Sequence, residues 1–446
     1  MKKSYNKILL VNPGHNPAFA FCEPLNLALL ASYLMAHGIA VRIADELVGD
    51  DVGQVMDEFL PDLVGITACT PLAYDAYRIA KIARVRKIPT VMGGVHASVM
   101  PEEALEHVDM VVKGEGELAL LDIIKQGITS GIHESKDVLD LNSCPPPARD
   151  LLHMDFYLGI RQRYPQTGNY YFVPLKEPVL NIMVGRGCYW NCTFCHNTWR
   201  DKPCRFRNPE SVINEMTQLK QNYGIKYLCF MDDNLFGYRS FCKELFPELV
   251  RRKTGLLWGA NARVDCVNED MLSLAKEAGC RRINFGFESG SQKVLDTLNK
   301  NCKVEQIEKA VALCRQQGIQ VVGTFMIGSP GETTNDIEAT RRLIRRLPLE
   351  HVGISITTPL PGTALWQSCA GQGRIPPNPD WTLFDFDHVP IQVSEIFTAK
   401  ELVALQRRLF FNAYIHSPRI IWNVTKAFIM RPAAVLRRVK SVVFAR

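Results

Sequence analysis

Gly185-Arg186-Gly187-Cys188-Tyr189-Trp190-Asn191-Cys192-Thr193-Phe194-Cys195-His196 puts three thiols into eight residues, directly after an apolar run. That density needs a chemical reason, and four compete. Cys192-x-x-Cys195-His196 matches the C-x-x-C-H pattern of haem attachment. That chemistry belongs to exported proteins, and residues 1–7 lead into a short apolar strand without the apolar core or cleavage site of a signal peptide. A structural zinc site would use Cys188, Cys192, Cys195 and His196, although zinc ligands usually arrive as two separated pairs. Buried thiols acting as small hydrophobes leave the spacing unexplained, since Tyr189, Trp190 and Phe194 already supply apolar bulk. The fourth reading is a four-iron, four-sulfur cluster on three thiolates, which leaves one iron without a protein ligand and open to chemistry.

Downstream, apolar runs at 179–184, 227–231, 256–260, 282–287, 320–327 and 351–357 alternate with helical patterns at 210–223, 239–252, 269–278, 292–298 with 304–317, and 335–346. Six βα units in roughly 180 residues predict a partial (β/α)6 barrel, whose chemistry sits at the carboxyl ends of its strands. The thiol loop follows the first strand. The second ends in Asp232-Asp233-Asn234, the third in Asn261-Ala262-Arg263-Val264-Asp265, the fourth in Gly286-Phe287-Glu288-Ser289-Gly290 and the fifth in Gly328-Ser329-Pro330-Gly331-Glu332-Thr333. Carboxylates and a guanidinium there suit a zwitterionic ligand with a ribose diol.

Upstream, strands at 7–13, 41–44, 63–67, 90–92 and 110–112 alternate with helices at 24–37, 52–60, 73–87, 101–106 and 118–125. This pattern predicts an α/β fold, a doubly wound, Rossmann-like parallel sheet that binds ligands at its strand carboxyl ends. Those ends are rich in small residues: Asn12-Pro13-Gly14-His15, Thr67-Ala68-Cys69-Thr70-Pro71, Gly93-Gly94-Val95-His96 and Gly114-Glu115-Gly116-Glu117. The predicted domains are 1–127 for this sheet, 128–178 as a linker, 179–375 for the barrel and 376–446 as a helical, basic C-terminal region.

The C-x3-C-x-aromatic-C spacing of Cys188, Cys192, Phe194 and Cys195 resembles the signature of the radical S-adenosylmethionine (SAM) superfamily, and the glycine-rich rim resembles the cobalamin-binding domain that precedes many of its enzymes. The resemblance implies that the three cysteines carry a 4Fe-4S cluster whose open iron chelates SAM, and that an electron from the cluster releases a 5′-deoxyadenosyl radical. It implies that Glu288, with Ser289, meets the ribose, and that the Gly328 segment lies against adenine. Asp232, Asp233 and Arg263 would meet the polar end of SAM or the substrate. Thr67, Gly93, Gly94, His96, Gly114, Glu115 and Gly116 would line cobalamin. The D-x-H-x-x-G motif, whose His ligates cobalt in the mutase type, is absent, and His15 and His96 are the only histidines on the predicted rim.

The activity so implied is cobalamin-dependent methylation of an unactivated carbon in a small-molecule or lipid-like substrate, with electrons from a reductase such as flavodoxin or ferredoxin. Radical cyclisation, rearrangement or deoxygenation is the alternative within the class, and a non-catalytic Fe-S and cobalamin sensor the alternative outside it. Nucleic acid is not an expected partner.

Fourteen dispersed cysteines in 446 residues without an export signal predict a reducing cytoplasm rather than a disulfide framework. The net charge of +6 is uneven. From Leu402 onward there are nine Lys and Arg and no Asp or Glu, leaving 43 basic against 46 acidic residues before it. Interleaved with Phe410, Phe411, Trp422 and Phe428, these cations predict either an amphipathic helix on anionic lipid at the inner membrane face or a helix packed on the barrel.

Overall fold

A computed structural model describes residues 4–14, 22–163, 173–174, 176–197, 202–385 and 388–416. They fall into two units. The first comprises Met1–Thr167, His196–Arg207 and Asp380–Asp385, and the second Gly168–Cys195, Asn208–Pro379 and Phe386–Arg446.

In the first unit β1 (Lys7–Asn12), β2 (Ala40–Asp45), β3 (Leu63–Thr67), β4 (Thr90–Gly93), β5 (Met110–Val112) and β6 (Gly131–His133) form one sheet of order β2-β1-β3-β4-β5-β6. Every pair is parallel. Helices α1 (Leu25–Ala36), α2 (Val52–Phe59), α3 (Ala73–Val85), α4 (Val95–Val99), α5 (Pro101–His107) and α6 (Gly116–Gln126) make the crossovers. Ile8, Leu9, Leu10 and Val11 of β1 are at most 1% exposed, because a central parallel strand is covered on both faces. The strand order reverses between β1 and β3, the position at which such sheets open to ligands.

The sequence predicts five strands here and the structure has six. Gly131–His133 is a three-residue edge strand, half open to solvent and without an apolar run to announce it. The predicted linker is also structured in part. Helix α7 (Met154–Arg163) puts Tyr157 and Ile160 against Leu47, and the Tyr157 hydroxyl donates to the buried Asp45 carboxylate. Tyr164, Tyr170 and Tyr171 lie outside the described residues.

His96 is not on the rim. Its ring is fully buried, edge-on to Trp381 at 5.2 Å, with Nε2 at 3.0 Å from the Tyr77 hydroxyl. Gly94 is the N-cap of α4, whose first residue Val95 stays exposed while the next, His96, enters the core. The Gly94 φ is +91°, and a Cβ would stand 2.8 Å from Thr67 Oγ1 and 2.9 Å from the Ala68 carbonyl.

The second unit is a parallel sheet of β7 (Val179–Ile182), β8 (Tyr227–Phe230), β9 (Leu257–Ala262), β10 (Cys280–Glu288), β11 (Gln320–Ile327) and β12 (His351–Ile356), each paired with the next in sequence. The crossovers contain α8 (Pro209–Tyr223), α9 (Arg239–Arg252), α10 (Glu269–Glu277), α11 (Gln292–Thr297) with α12 (Val304–Gln316), and α13 (Thr334–Arg346). This is the partial barrel the alternation predicts. Alternation along the strands separates two surfaces. Trp258, Phe285, Phe287 and Phe325 are fully buried, Trp258 packing on Phe246 of α9. Asn261, Asn284, Gly286, Thr324, Met326, Gly353 and Ser355 occupy the opposite phase and stay partly open. The barrel therefore keeps a polar inner face.

The start of the tail packs onto the barrel. Helix α14 (Ala364–Gly371) meets the thiol loop, the Leu365 N–H donating to the Thr193 carbonyl at 2.9 Å, and α15 (Ala399–His416) lies on the sheet edge, where Leu402, Leu409 and Ala413 are buried and Gln406 Nε2 donates to the Ile354 carbonyl at 2.8 Å. Phe411 remains 65% exposed. The rest of the basic stretch, 417–446, lies outside the described residues. Among the described residues no helix is long and apolar enough to cross a membrane.

Burial depresses the His96 pKa to about 4, so the folded state refuses a proton that the unfolded chain takes up at 6.5. Stability should therefore fall as pH drops from about 6.5 towards 4, by roughly 2–3 kcal/mol for this group. Urea unfolding of the wild type and His96→Gln at pH 7.5 and 4.5 checks this: the variant should lose less stability on acidification by about that amount.

Candidate active site

The thiol loop leaves β7 under the control of one carboxylate. Asp232, at the end of β8, accepts the backbone N–H groups of Val184 at 3.2 Å and Gly185 at 2.7 Å. It is 2% exposed, and burial pushes its pKa up to about 7 against the pull of these hydrogen bonds. Asp232 is thus turned to the backbone and is not free for a ligand, contrary to its predicted role. Its neighbour Asp233 points the other way and is exposed, although enclosure by protein raises its pKa.

Beyond the latch, Cys192 is buried, Cys188 partly open and Cys195 exposed. Enclosure raises the Cys188 thiol, and raises Cys195 to about 12 through burial first and then Asp233 and the other two thiols. Among the described residues no three His, Cys, Asp or Glu side chains could share a single metal ion. One exposed, one half-exposed and one buried thiol on a short loop suit a group inserted from the open side. Metal would displace their protons, so assembly releases acid.

Arg263, from the loop after β9, is the best-anchored cation here. Its Nε and Nη2 grip Asp265, both at 3.0 Å, Nη1 lies 3.5 Å from Cys192 Sγ, and the guanidinium stacks over Trp190 at 4.7 Å. Expected at the polar end of SAM or at the substrate, it is a neighbour of the Cys192 thiol in the structure. Glu288 ends β10 in a left-handed conformation, φ +62°, after a register shift in the β10–β11 pairing. Its Oε1 accepts from Lys300 Nζ at 2.7 Å, and both side chains are under 9% exposed. A Cβ on Gly286 would stand 2.4 Å from that oxygen, so a larger residue there would displace the carboxylate. Phe194 lies under the same ammonium, 5.8 Å from its ring centroid.

Two further predicted residues serve the framework. Ser289 is fully buried, its hydroxyl 3.1 Å from that of Thr340. Gly328 donates its N–H to Glu332 at 2.6 Å, and burial raises that carboxyl to about 7. Thr333 caps α13 through a reciprocal bond with Asp336. Sequence reasoning missed Lys300, a single lysine in a turn with no motif around it.

In the first unit Thr67, Gly93, Gly94, Gly114 and Gly116 stand at the carboxyl ends of β3, β4 and β5. The Gly114 N–H is tied to Ser98 Oγ at 3.0 Å. Glu115 is not on the free rim: it is buried in a paired contact with Arg205, which also donates to the Leu139 carbonyl at 2.9 Å. Asp45 and Glu46 are likewise occupied, by Asn12 and by Arg78 with the Gly14 N–H. Among the described residues the surface left at the switch point is backbone and small side chains, which suits close approach of a broad, flat group such as a corrin.

Comparison with known proteins bears on these two regions separately. Residues 182–344 match the family model of the Radical SAM superfamily, and residues 18–124 that of the B12 binding domain. An uncharacterized methyltransferase of Pyrococcus horikoshii is 30% identical over 94% of this chain and 94% of its own. The chain belongs to the radical SAM superfamily and carries a B12 binding domain. Its cofactors are those of that family: a 4Fe-4S cluster, SAM and cobalamin. The anaerobic magnesium-protoporphyrin IX monomethyl ester cyclase of Rubrivivax gelatinosus is 28% identical over 92% of this chain and 79% of its own. The solved structure of the cobalamin-dependent SAM radical enzyme OxsB, with aqua-cobalamin and SAM bound, has the same fold, with a TM-score of 0.73 at 16% identity over 97% of this chain and 72% of that one.

Exposure alone would make Cys195 the most reactive of the three thiols, but its raised pKa keeps it protonated at neutral pH. In metal-free protein its alkylation by iodoacetamide at pH 7.5 should be slower than that of a free thiol by at least tenfold, and should climb steadily to pH 10. Peptide mass spectrometry of timed samples measures this.

Proposed function

We propose that this radical SAM enzyme transfers a methyl group to an unactivated carbon, with cobalamin as the methyl carrier. The observation that carries the reading is the three-thiol loop at the carboxyl end of β7 in a chain that also bears the small-residue rim at the β1/β3 switch point. When bound, the cluster and SAM supply a carbon-based oxidant and cobalamin a methyl group. The protein's own residues do the rest. Asp232 fixes the departure of the loop, Arg263 neutralises charge beside Cys192, and Glu288 accepts the ribose diol of SAM. The polar inner face at Asn261, Asn284, Thr324 and Ser355 offers hydrogen bonds to a substrate with polar groups. An external one-electron donor of the flavodoxin or ferredoxin type completes the reaction.

A relative named as a cyclase, nearly as similar as the one named as a methyltransferase, supports a second reading in which no methyl group moves. The fate of SAM separates the two without knowledge of the substrate. Loss of the methyl group leaves S-adenosylhomocysteine, whereas release of the adenosyl radical leaves methionine and, after hydrogen abstraction, 5′-deoxyadenosine. Anaerobic incubation of protein loaded with cluster and cobalamin, with SAM and reductant, should yield both nucleosides. 5′-Deoxyadenosine without S-adenosylhomocysteine would favour cyclisation or rearrangement, and neither product would favour a sensor.

We expect cobalamin to be held without a histidine ligand from the chain: His96 is in the core, and His15 lies outside the described residues. Electron paramagnetic resonance of the cob(II)alamin form should lack nitrogen coupling from a protein histidine, and clear coupling would overturn this. A lipid substrate rests on the basic stretch 417–446. Flotation of full-length protein with anionic vesicles, lost on truncation before residue 417, is the outcome that reading requires.

A further inference from the structure

Leu298-Asn299-Lys300-Asn301 forms the turn between α11 and α12. Asn299 and Asn301 are both left-handed, with φ of 51° and 52°, a conformation that asparagine adopts more readily than most residues. Two such residues on either side of Lys300 fold the backbone so that the lysine points inward. Its side chain is 7% exposed, and its ammonium meets Glu288 Oε1 at 2.7 Å.

The same turn holds the thiol loop at the two residues that flank Cys192. Asn299 Nδ2 donates to the Asn191 carbonyl at 2.7 Å, and Thr193 donates its N–H to the Leu298 carbonyl at 3.0 Å. Between them Cys192 is approached by Arg263, which also donates to the Lys300 carbonyl. One four-residue segment thus grips the loop with its backbone and amides and grips Glu288 with its side chain.

The energetics make Glu288 dependent on that grip. A non-glycine residue in the left-handed region persists only where its surroundings over-determine it. A buried carboxylate that loses its only cation becomes strongly unfavourable. Lys300 supplies both the restraint and the counter-charge, while Gly286 leaves the space the carboxylate fills.

We propose that Lys300 is a positioning residue that couples the thiol loop to the nucleoside site. When the loop is drawn into its cluster-holding shape, the 298–301 turn sets Lys300, and Lys300 sets the Glu288 carboxylate for the ribose diol. Assembly of the cluster then strengthens binding of the nucleoside itself, beyond direct chelation of SAM by iron. The inference rests on the reading of Glu288 as the ribose acceptor.

The test uses 5′-deoxyadenosine, which has the ribose diol and no amino acid with which to chelate iron. Its dissociation constant is measured by equilibrium dialysis against the full chain with and without reconstituted cluster. In the wild type the cluster should tighten binding by tenfold or more. In Lys300→Met that ratio should fall to about one with iron and sulfide content unchanged, and Lys300→Arg should restore most of it. A ratio unchanged in Lys300→Met, absent from the wild type, or lost together with the iron would overturn the coupling. A parallel titration with 2′,5′-dideoxyadenosine separates the underlying reading: equal wild-type affinity for both nucleosides would remove Glu288 from the ribose, whatever Lys300 does.

Discussion

The site depends on a buried carboxylate spent on backbone. Asp232 has almost no contact with water, yet it takes up the N–H groups of Val184 and Gly185 at the point where β7 gives way to the thiol loop. A loop that leaves a strand exposes unpaired donors, and in a buried place each would carry a desolvation penalty of about 1–3 kcal/mol. One side chain from the adjacent strand removes two of them and fixes the direction in which Cys188, Cys192 and Cys195 follow. The cost is a carboxyl whose pKa rises to about 7. Such a group opposes folding increasingly as pH rises from its unfolded value of 3.8 through 7, so geometry rather than stability accounts for its presence.

Charge around the loop is arranged by the same logic. The thiols lie in an enclosed place that favours their neutral form, and Asp233 adds to that preference. Arg263 and Lys300 work against it from two sides, each held by a carboxylate of its own, Asp265 and Glu288. Because both cations are compensated, they can stay beside Cys192 and Phe194 whether or not negative charge is present on the loop. A flexible lysine in solvent could not do this, since its charge would be screened and its position averaged.

Much of the architecture was legible because it rests on periodicity. Runs such as Lys7–Asn12 and Gln320–Ile327 are long enough, and flanked by clear enough turns, that only a parallel strand accommodates them. Elements decided by partners rather than pattern were not legible. Gly131–His133 is a strand only because β5 offers an edge, and α7 matters through one tyrosine reaching Asp45, 112 residues away in sequence. In the site, residue type was readable and direction was not. Asp232 and Asp233 are adjacent and chemically identical, yet successive residues leaving a strand face opposite ways, so one holds backbone while the other meets the open side. Glu115 and His96 were misassigned for a related reason, since each occupies a rim sequence but is turned inward by a contact formed with Arg205 or Trp381.

Arg205 and Trp381 come from segments that follow the thiol loop and the barrel in sequence yet fold with the first unit. The last thiol is Cys195, and the next residue, His196, already belongs to the other unit. Within the first unit the Arg205–Glu115 pair is almost dry and is anchored again at Leu139. A carrier of methyl groups and a source of radicals must meet at one substrate carbon with little freedom to miss, since misplacement by an ångström can cost a hundredfold in rate. The chain runs from the last thiol, Cys195, to a segment that folds with the first unit, so backbone joins the two cofactor-bearing regions at that point as well as through residues 128–178.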